Sequence, residues 1–202
     1  MKKLMISSVL LMILVITAFG VMATNDANTA GFINGIEIKK QEVEIAKKDF
    51  EAYNVPSENS YSINESNQNV SMSDLDFLKA VAKRKLTEQL FIDNHITVSQ
   101  KEINKTHAYF DEVMEIIYEQ SNSKVEAEKQ GGLMLLQCMK NAADVRGMTM
   151  DQYQNEVCKK EYEYMCKKDK LVKAMFSSAQ ELEDYLEDTV NKILKVKDIN
   201  IE

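Results

Sequence analysis

Apolar residues recur at helical spacing through most of the chain and alternate at strand spacing only near its two ends. Val43, Ala46, Phe50 and Tyr53 define one helical face, closed by Pro56. Leu75, Leu78, Ala82, Leu86 and Leu90 repeat at i, i+3 or i+4 and predict the buried stripe of a second helix. Ser73 opens it, with Asp74 and Asp76 placed to suit its dipole, and it ends around Asn94-His95-Ile96. Ser99-x-x-Glu102 reads as a capping box for a third helix carrying Ile103, Phe110, Met114 and Ile117 on one face. Gly131-Gly132 weakens or bends the pattern, the apolar cluster Leu133-Met134-Leu135-Leu136 follows, and Gly147 stops that helix. Thr149-x-x-Gln152 caps the next, with an expected packing face of Tyr153, Val157, Met165, Val172 and Phe176. Ser178-x-x-Glu181 caps a last helix striped by Leu182, Leu186, Thr189, Val190 and Ile193.

Strand signals occupy the ends. Asn34-Gly35, set between β-branched and apolar neighbours from Phe32 to Ile38, predicts a hairpin with a type I′ turn. Its arms are too short to be stable alone. The closing run from Val196 to Glu202 alternates Ile199 and Ile201 with polar residues, the period of a half-buried strand. Pairing the two would join the ends of the domain and cover edge groups that the ribbon would otherwise expose. The fold class expected is mainly α, a multi-helix domain with a small β ribbon pairing its N-terminal and C-terminal strands.

Composition sharpens this picture. Of 202 residues, 6 are Gly and 1 is Pro, so there is little punctuation for a many-turned β fold. The formal net charge of -7 argues against nucleic acid as a partner and leaves polypeptides open. Lys2-Lys3, the apolar run Leu4 to Phe19 and Val21-Met22-Ala23 read as a signal peptide over 1–23, cut between Ala23 and Thr24. The alternative is an uncleaved membrane anchor; in both cases the remainder is exported and extracytoplasmic. Residues 24–30 read as a polar linker, and the Ser- and Asn-rich stretch Ser57 to Ser71 as a mobile loop. Asn64, Asn69 and Asn104 match the glycosylation acceptor pattern, a chance match in a chain with a bacterial-type leader.

Several stretches together resemble a known family. Phe32-Ile33-Asn34-Gly35-Ile36-Glu37-Ile38 followed by Gln41-Glu42-Val43 is similar to the opening of the SurA N-terminal-like chaperone domain of SurA/PrsA-type peptidyl-prolyl isomerase foldases. Ile96-Thr97-Val98-Ser99-Gln100-Lys101-Glu102 resembles a helix junction of those domains, and Gly147-Met148-Thr149 to Tyr153 a joint of Gram-positive relatives. The run from Tyr185 to Ile201 is similar to the family's closing helix and strand. The resemblance covers most of residues 31–202. Relatives insert a parvulin isomerase module before the closing helix, whereas here only Phe176 to Gln180 stands in that place, too short for a catalytic domain. The resemblance therefore implies an exported, ATP-independent, holdase-like chaperone that binds unfolded or newly translocated polypeptides and lacks prolyl isomerase activity. The competing expectation is a cell-surface structural or interaction protein using the same scaffold for one fixed partner.

Catalytic chemistry finds little support. His107, Asp111, Glu115 and Glu119 fall on one helix face and could approach a metal, but a solvated polar stripe explains them without a second cluster to complete a site. No nucleophile elbow, P-loop or dinucleotide glycine pattern occurs, so no catalytic residue, cofactor or metal is expected. Cys138, Cys158 and Cys166 are an odd set without a C-x-x-C; they read as packed free thiols, with a Cys138 bridge to Cys158 or Cys166 left open. Many of the 12 Met residues lie in the second half, and flexible Met side chains suit surfaces that accept varied apolar sequences. Leu133, Met134, Leu135, Leu136 and Met139 are the expected peptide-binding residues.

Overall fold

A computed structural model describes residues 28–53 and 72–197. The leader with its Ala23/Thr24 cleavage point, the stretch Ser57 to Ser71 with Asn64 and Asn69, and Ile199 and Ile201 lie outside the described residues. The elements are β1 (Thr29–Ile33), β2 (Ile36–Lys39), α1 (Lys40–Tyr53), α2 (Asp74–Asp93), α3 (Gln100–Ser121), α4 (Glu126–Val145), α5 (Met150–Tyr153), a π-helical turn (Gln154–Cys158), α6 (Lys159–Met175), α7 (Ala179–Ile193) and β3 (Lys195–Val196). The protein is mainly α, with one small sheet. It divides into two compact units. Among the described residues, one gathers 28–44, 72–89 and 180–197, and the other gathers 45–53 and 90–179.

The first unit is built on an antiparallel sheet of order β2-β1-β3. Asn34 and Gly35 take φ values of 48° and 78°, so the hairpin turn has the two positive φ angles that Asn-Gly supplies. β1 pairs with β2 through Gly31↔Ile38, Phe32↔Glu37 and Ile33↔Ile36, and with β3 through Gly31↔Val196 and Phe32↔Lys195. The Lys197 amide donates to the Ala30 carbonyl at 3.0 Å and extends this second ladder. β1 begins two residues inside the expected linker: Thr29 and Ala30 are buried, and the Thr29 hydroxyl donates to Glu37 Oε1 at 2.5 Å. A Cβ on Gly31 would lie 2.7 Å from the Lys195 carbonyl oxygen, so β3 can approach only because that position carries no side chain.

The helices of this unit follow the sequence pattern closely. Leu78, Ala82, Leu86, Leu182, Leu186 and Val190 are buried, each large one contributing on the order of 1.5–3 kcal/mol by leaving water. Leu75 departs from the expected stripe: it lies in the first turn of α2, where it is exposed, and Phe77 is buried instead. Lys85 pairs with Glu42 of α1 at 2.7 Å and Lys83 with Glu187 of α7 at 2.5 Å.

In the second unit α3 and the α5–α6 run are antiparallel. Lys170 meets Glu102, Glu163 meets His107, Lys159 meets Asp111 and Gln154 meets Tyr118, a series in which one number falls as the other rises. Two of the expected caps form here as capping boxes: Ser99 with Glu102 at the start of α3, and Thr149 with Gln152 at the start of α5. Gly147, at φ 64°, ends α4 with the paired bonds Met148 N–H to Ala143 and Gly147 N–H to Asp144, a Schellman closure. His95, at φ 53°, ends α2 in the same way through Ile96 N–H to Phe91 and His95 N–H to Ile92. The core joins Ala52, Phe110, Met114, Met139, Ala142, Ala143 and Tyr153. Arg146 closes it with a two-pronged ion pair to Asp49, and its guanidinium lies 5.4 Å from the centre of the Tyr153 ring.

One stripe in this unit differs from the expected one. Met165 is exposed, whereas Leu171 is fully buried. Counted from the buried Tyr153 at the regular period of about 3.6 residues per turn, Leu171 returns to the same face and Met165 falls about a third of a turn away, so the expected stripe had itself left the helical period at Met165.

Candidate functional site

The expected peptide-binding residues split between two roles. Met139 is buried in the core and Leu136 packs against it, so neither offers a surface for a peptide. Leu133, Met134 and Leu135 are 43%, 47% and 39% exposed. Successive helical residues step by about 100°, so three consecutive exposed positions wrap around much of α4. A second apolar row runs along α3, where Tyr109, Val113 and Ile116 are spaced i, i+4, i+7 on a face distinct from Phe110, Met114 and Ile117. Tyr109 and Ile116 are 57% and 53% exposed. That spacing was readable in the sequence but was masked by the stronger core stripe beside it.

Two contacts bring these residues to one end of the unit. Gly132 lies against the backbone of Ile117, Gln120 and Ser121, which sets the first turns of α4 on the end of α3. The Gln154 side-chain amide donates to the Tyr118 hydroxyl at 3.1 Å, which sets the π-helical turn beside the same stretch. Gly132 thus serves close helix packing within an unbroken α4, where a weakening or bend was expected. Further along α3 the Tyr109 and Phe110 rings stand 6.0 and 5.3 Å from Tyr162, and Met165 follows one turn later on α6 with 56% exposure.

Two members of the polar row, His107 and Asp111, find partners on α6. His107 Nε2 lies 2.7 Å from Glu163 Oε1, and Lys159 lies 3.0 Å from Asp111. No group of three His, Cys, Asp or Glu side chains among the described residues is placed to hold a metal ion. Near the start of α3, Lys170 donates to the Thr97 carbonyl at 2.8 Å and pairs with Glu102 at 2.7 Å. The Lys170 hydrogen bond, helped by those from Ser99, holds the Glu102 carboxyl down to about 2.

Cys138, Cys158 and Cys166 are all free thiols. Burial pushes the Cys158 thiol up to about 11 and raises that of Cys138, which disfavours the reactive thiolate at both. None of the described helices is long and apolar enough to cross a membrane. No protein-family model matches the chain, and neither a curated protein nor a solved structure matches it.

Proposed function

We propose that this chain is an exported, ATP-independent chaperone of the holdase kind, which binds unfolded or newly translocated polypeptides and does not catalyse prolyl isomerisation. The observation that carries the reading is the set of large apolar side chains left in water on the helical unit: Ile116 on α3 with Leu133, Met134 and Leu135 on α4. Scattered single apolar residues are ordinary on a surface. Here Leu133, Met134 and Leu135 directly follow Gly132, and Ile116 directly precedes the Ile117 backbone that Gly132 meets; the Met and Leu among them can repack around different sequences. The sequence resemblance to SurA N-terminal-like domains points the same way, and the short Phe176 to Gln180 connection leaves no room for an isomerase module.

The test is an aggregation assay with the full chain and no nucleotide. A chemically unfolded client diluted into buffer should scatter less light as the protein is added, reaching a plateau near stoichiometric amounts. Refolding limited by an Xaa-Pro bond should proceed at its unassisted rate. Unchanged client aggregation would remove the chaperone reading, and faster isomerisation would remove the non-enzymatic part of it.

A further inference from the structure

The methionines of the helical unit differ in access. Met114 and Met139 are buried in its core, and Met148 and Met150 pack against it. Met134 on α4 and Met165 on α6 are exposed. A long helical side chain leans back over the residues three and four positions before it. Three before Met134 stands Gly131, which carries no side chain and where an added Cβ would meet nothing within 4 Å. The Met134 sulfur is thus open to small solutes. The thiols are placed otherwise: Cys138 is buried and Cys158 half-buried, and burial holds both away from the thiolate that oxidants attack. A thioether has no proton to lose, so access rather than ionisation governs its oxidation.

From this placement we infer that Met134 is a site of reversible sulfoxidation by hydroperoxides, and that oxidation there turns off the binding of polypeptide clients. The inference rests on the chaperone reading and names the regulation of its surface. The Met134 sulfur attacks the outer oxygen of the hydroperoxide and the O–O bond breaks. Sulfur keeps that oxygen and is oxidised by two electrons; the peroxide is reduced and leaves, with its proton, as an alcohol, or as water from hydrogen peroxide. The product is a polar side chain between Leu133 and Leu135, where an apolar one stood. A client covering it must bury an oxygen without a hydrogen-bond partner, which lowers affinity. A dithiol-dependent sulfoxide reductase removes the oxygen as water, its dithiol becoming a disulfide, and restores the thioether. Met165 is open to the same oxidation but lies on another helix, outside the Leu133–Leu135 stretch, and supplies the internal comparison.

The experiment treats the full chain with hydrogen peroxide, maps the added oxygen by peptide mass spectrometry, and follows helix content and suppression of client aggregation in parallel. Met134 and Met165 should be oxidised ahead of Met114 and Met139, with helix content unchanged. Roughly fivefold more oxidised than untreated protein should be needed for the same suppression. Repair by the two epimer-specific sulfoxide reductases should restore the original requirement. Met134→Leu should suppress aggregation as well as the wild type and lose nothing to peroxide, whereas Met165→Leu should lose as much as the wild type. Oxidation of Met134 no faster than that of Met139, full suppression by a chain oxidised at Met134, or equal loss in Met134→Leu would overturn the inference and leave the chaperone reading standing. Loss that tracks oxidation of Met114 or Met139 would overturn it as well. An untreated chain that protects no client removes the chaperone reading, and the inference with it, before any oxidant is added.

Discussion

Gly132 packs so tightly on the end of α3 that a Cβ there would overlap the Ser121 backbone nitrogen and stand 2.9 Å from the Ile117 carbonyl oxygen. Backbone cannot swing aside as a flexible side chain can. Gly132→Ala should therefore cost about 1–3 kcal/mol despite alanine's better helix propensity. A Cβ on Gly131, its neighbour in the same helix, would meet nothing within 4 Å, so Gly131→Ala should gain up to about 1 kcal/mol. Urea melts of the two variants check both signs.

The Glu102 carboxyl gives a pH signature. Its folded value near 2 lies below the ordinary 4.5, so its contribution is fully present above pH 4.5 and fades as pH falls through about 2. Glu102→Gln should lower the melting temperature at neutral pH, through loss of the Lys170 and Ser99 partners. The gap between wild type and variant should narrow steadily between pH 4.5 and 2. A gap that stays constant over that range would contradict this linkage.

Glu119 lies in the last turn of α3, where its charge opposes the helix dipole. Glu119→Gln should raise stability by about 0.3–1 kcal/mol, measured by denaturant melts at low ionic strength, with the gain shrinking in salt.

The thiols should differ in reactivity. Under native conditions near pH 8 a thiol-reactive dye should label the half-buried Cys166 ahead of Cys138, which is buried, and ahead of Cys158, which is also half-buried but has its thiol held up to about 11. All three should react rapidly in denaturant without reductant.

Features set by neighbouring residues were the legible ones. Asn34-Gly35 makes its turn from two backbone angles, and Ser99 with Glu102 or Thr149 with Gln152 makes its cap within one helical turn. The pairing of the opening ribbon with the end of the chain was also visible, because each strand lacked a neighbour. The inward turn of Leu136 and Met139 was not. Four apolar residues in a row cover most of a helix, and which face is buried depends on where α3 touches Gly132. His107 and Asp111 looked like the start of a metal row because Glu163 and Lys159, which pair with them, lie far along the chain. The buried Leu171 and exposed Met165 were legible from the regular period counted from Tyr153, and the expected stripe missed them by stepping off that period.

Gly31 makes the last prediction. Its missing side chain is what lets the Lys195 carbonyl approach β1, so Gly31→Val should detach β3 and expose the β1 edge to exchange. Hydrogen exchange at the Lys197 amide, which donates to Ala30, reports it directly.

The same pairing imposes an order on assembly. β1 is synthesised before all the described helices, and β3 after them. The β1–β2 hairpin can form early, but the edge facing β3 must wait until residue 196 has emerged. During synthesis the sheet is therefore an unfinished one, and closing it means bringing together residues far apart in sequence. A polypeptide lacking Lys195 and Val196 would keep that edge open, so the sheet is completed only by residues far along the chain from the strand they join.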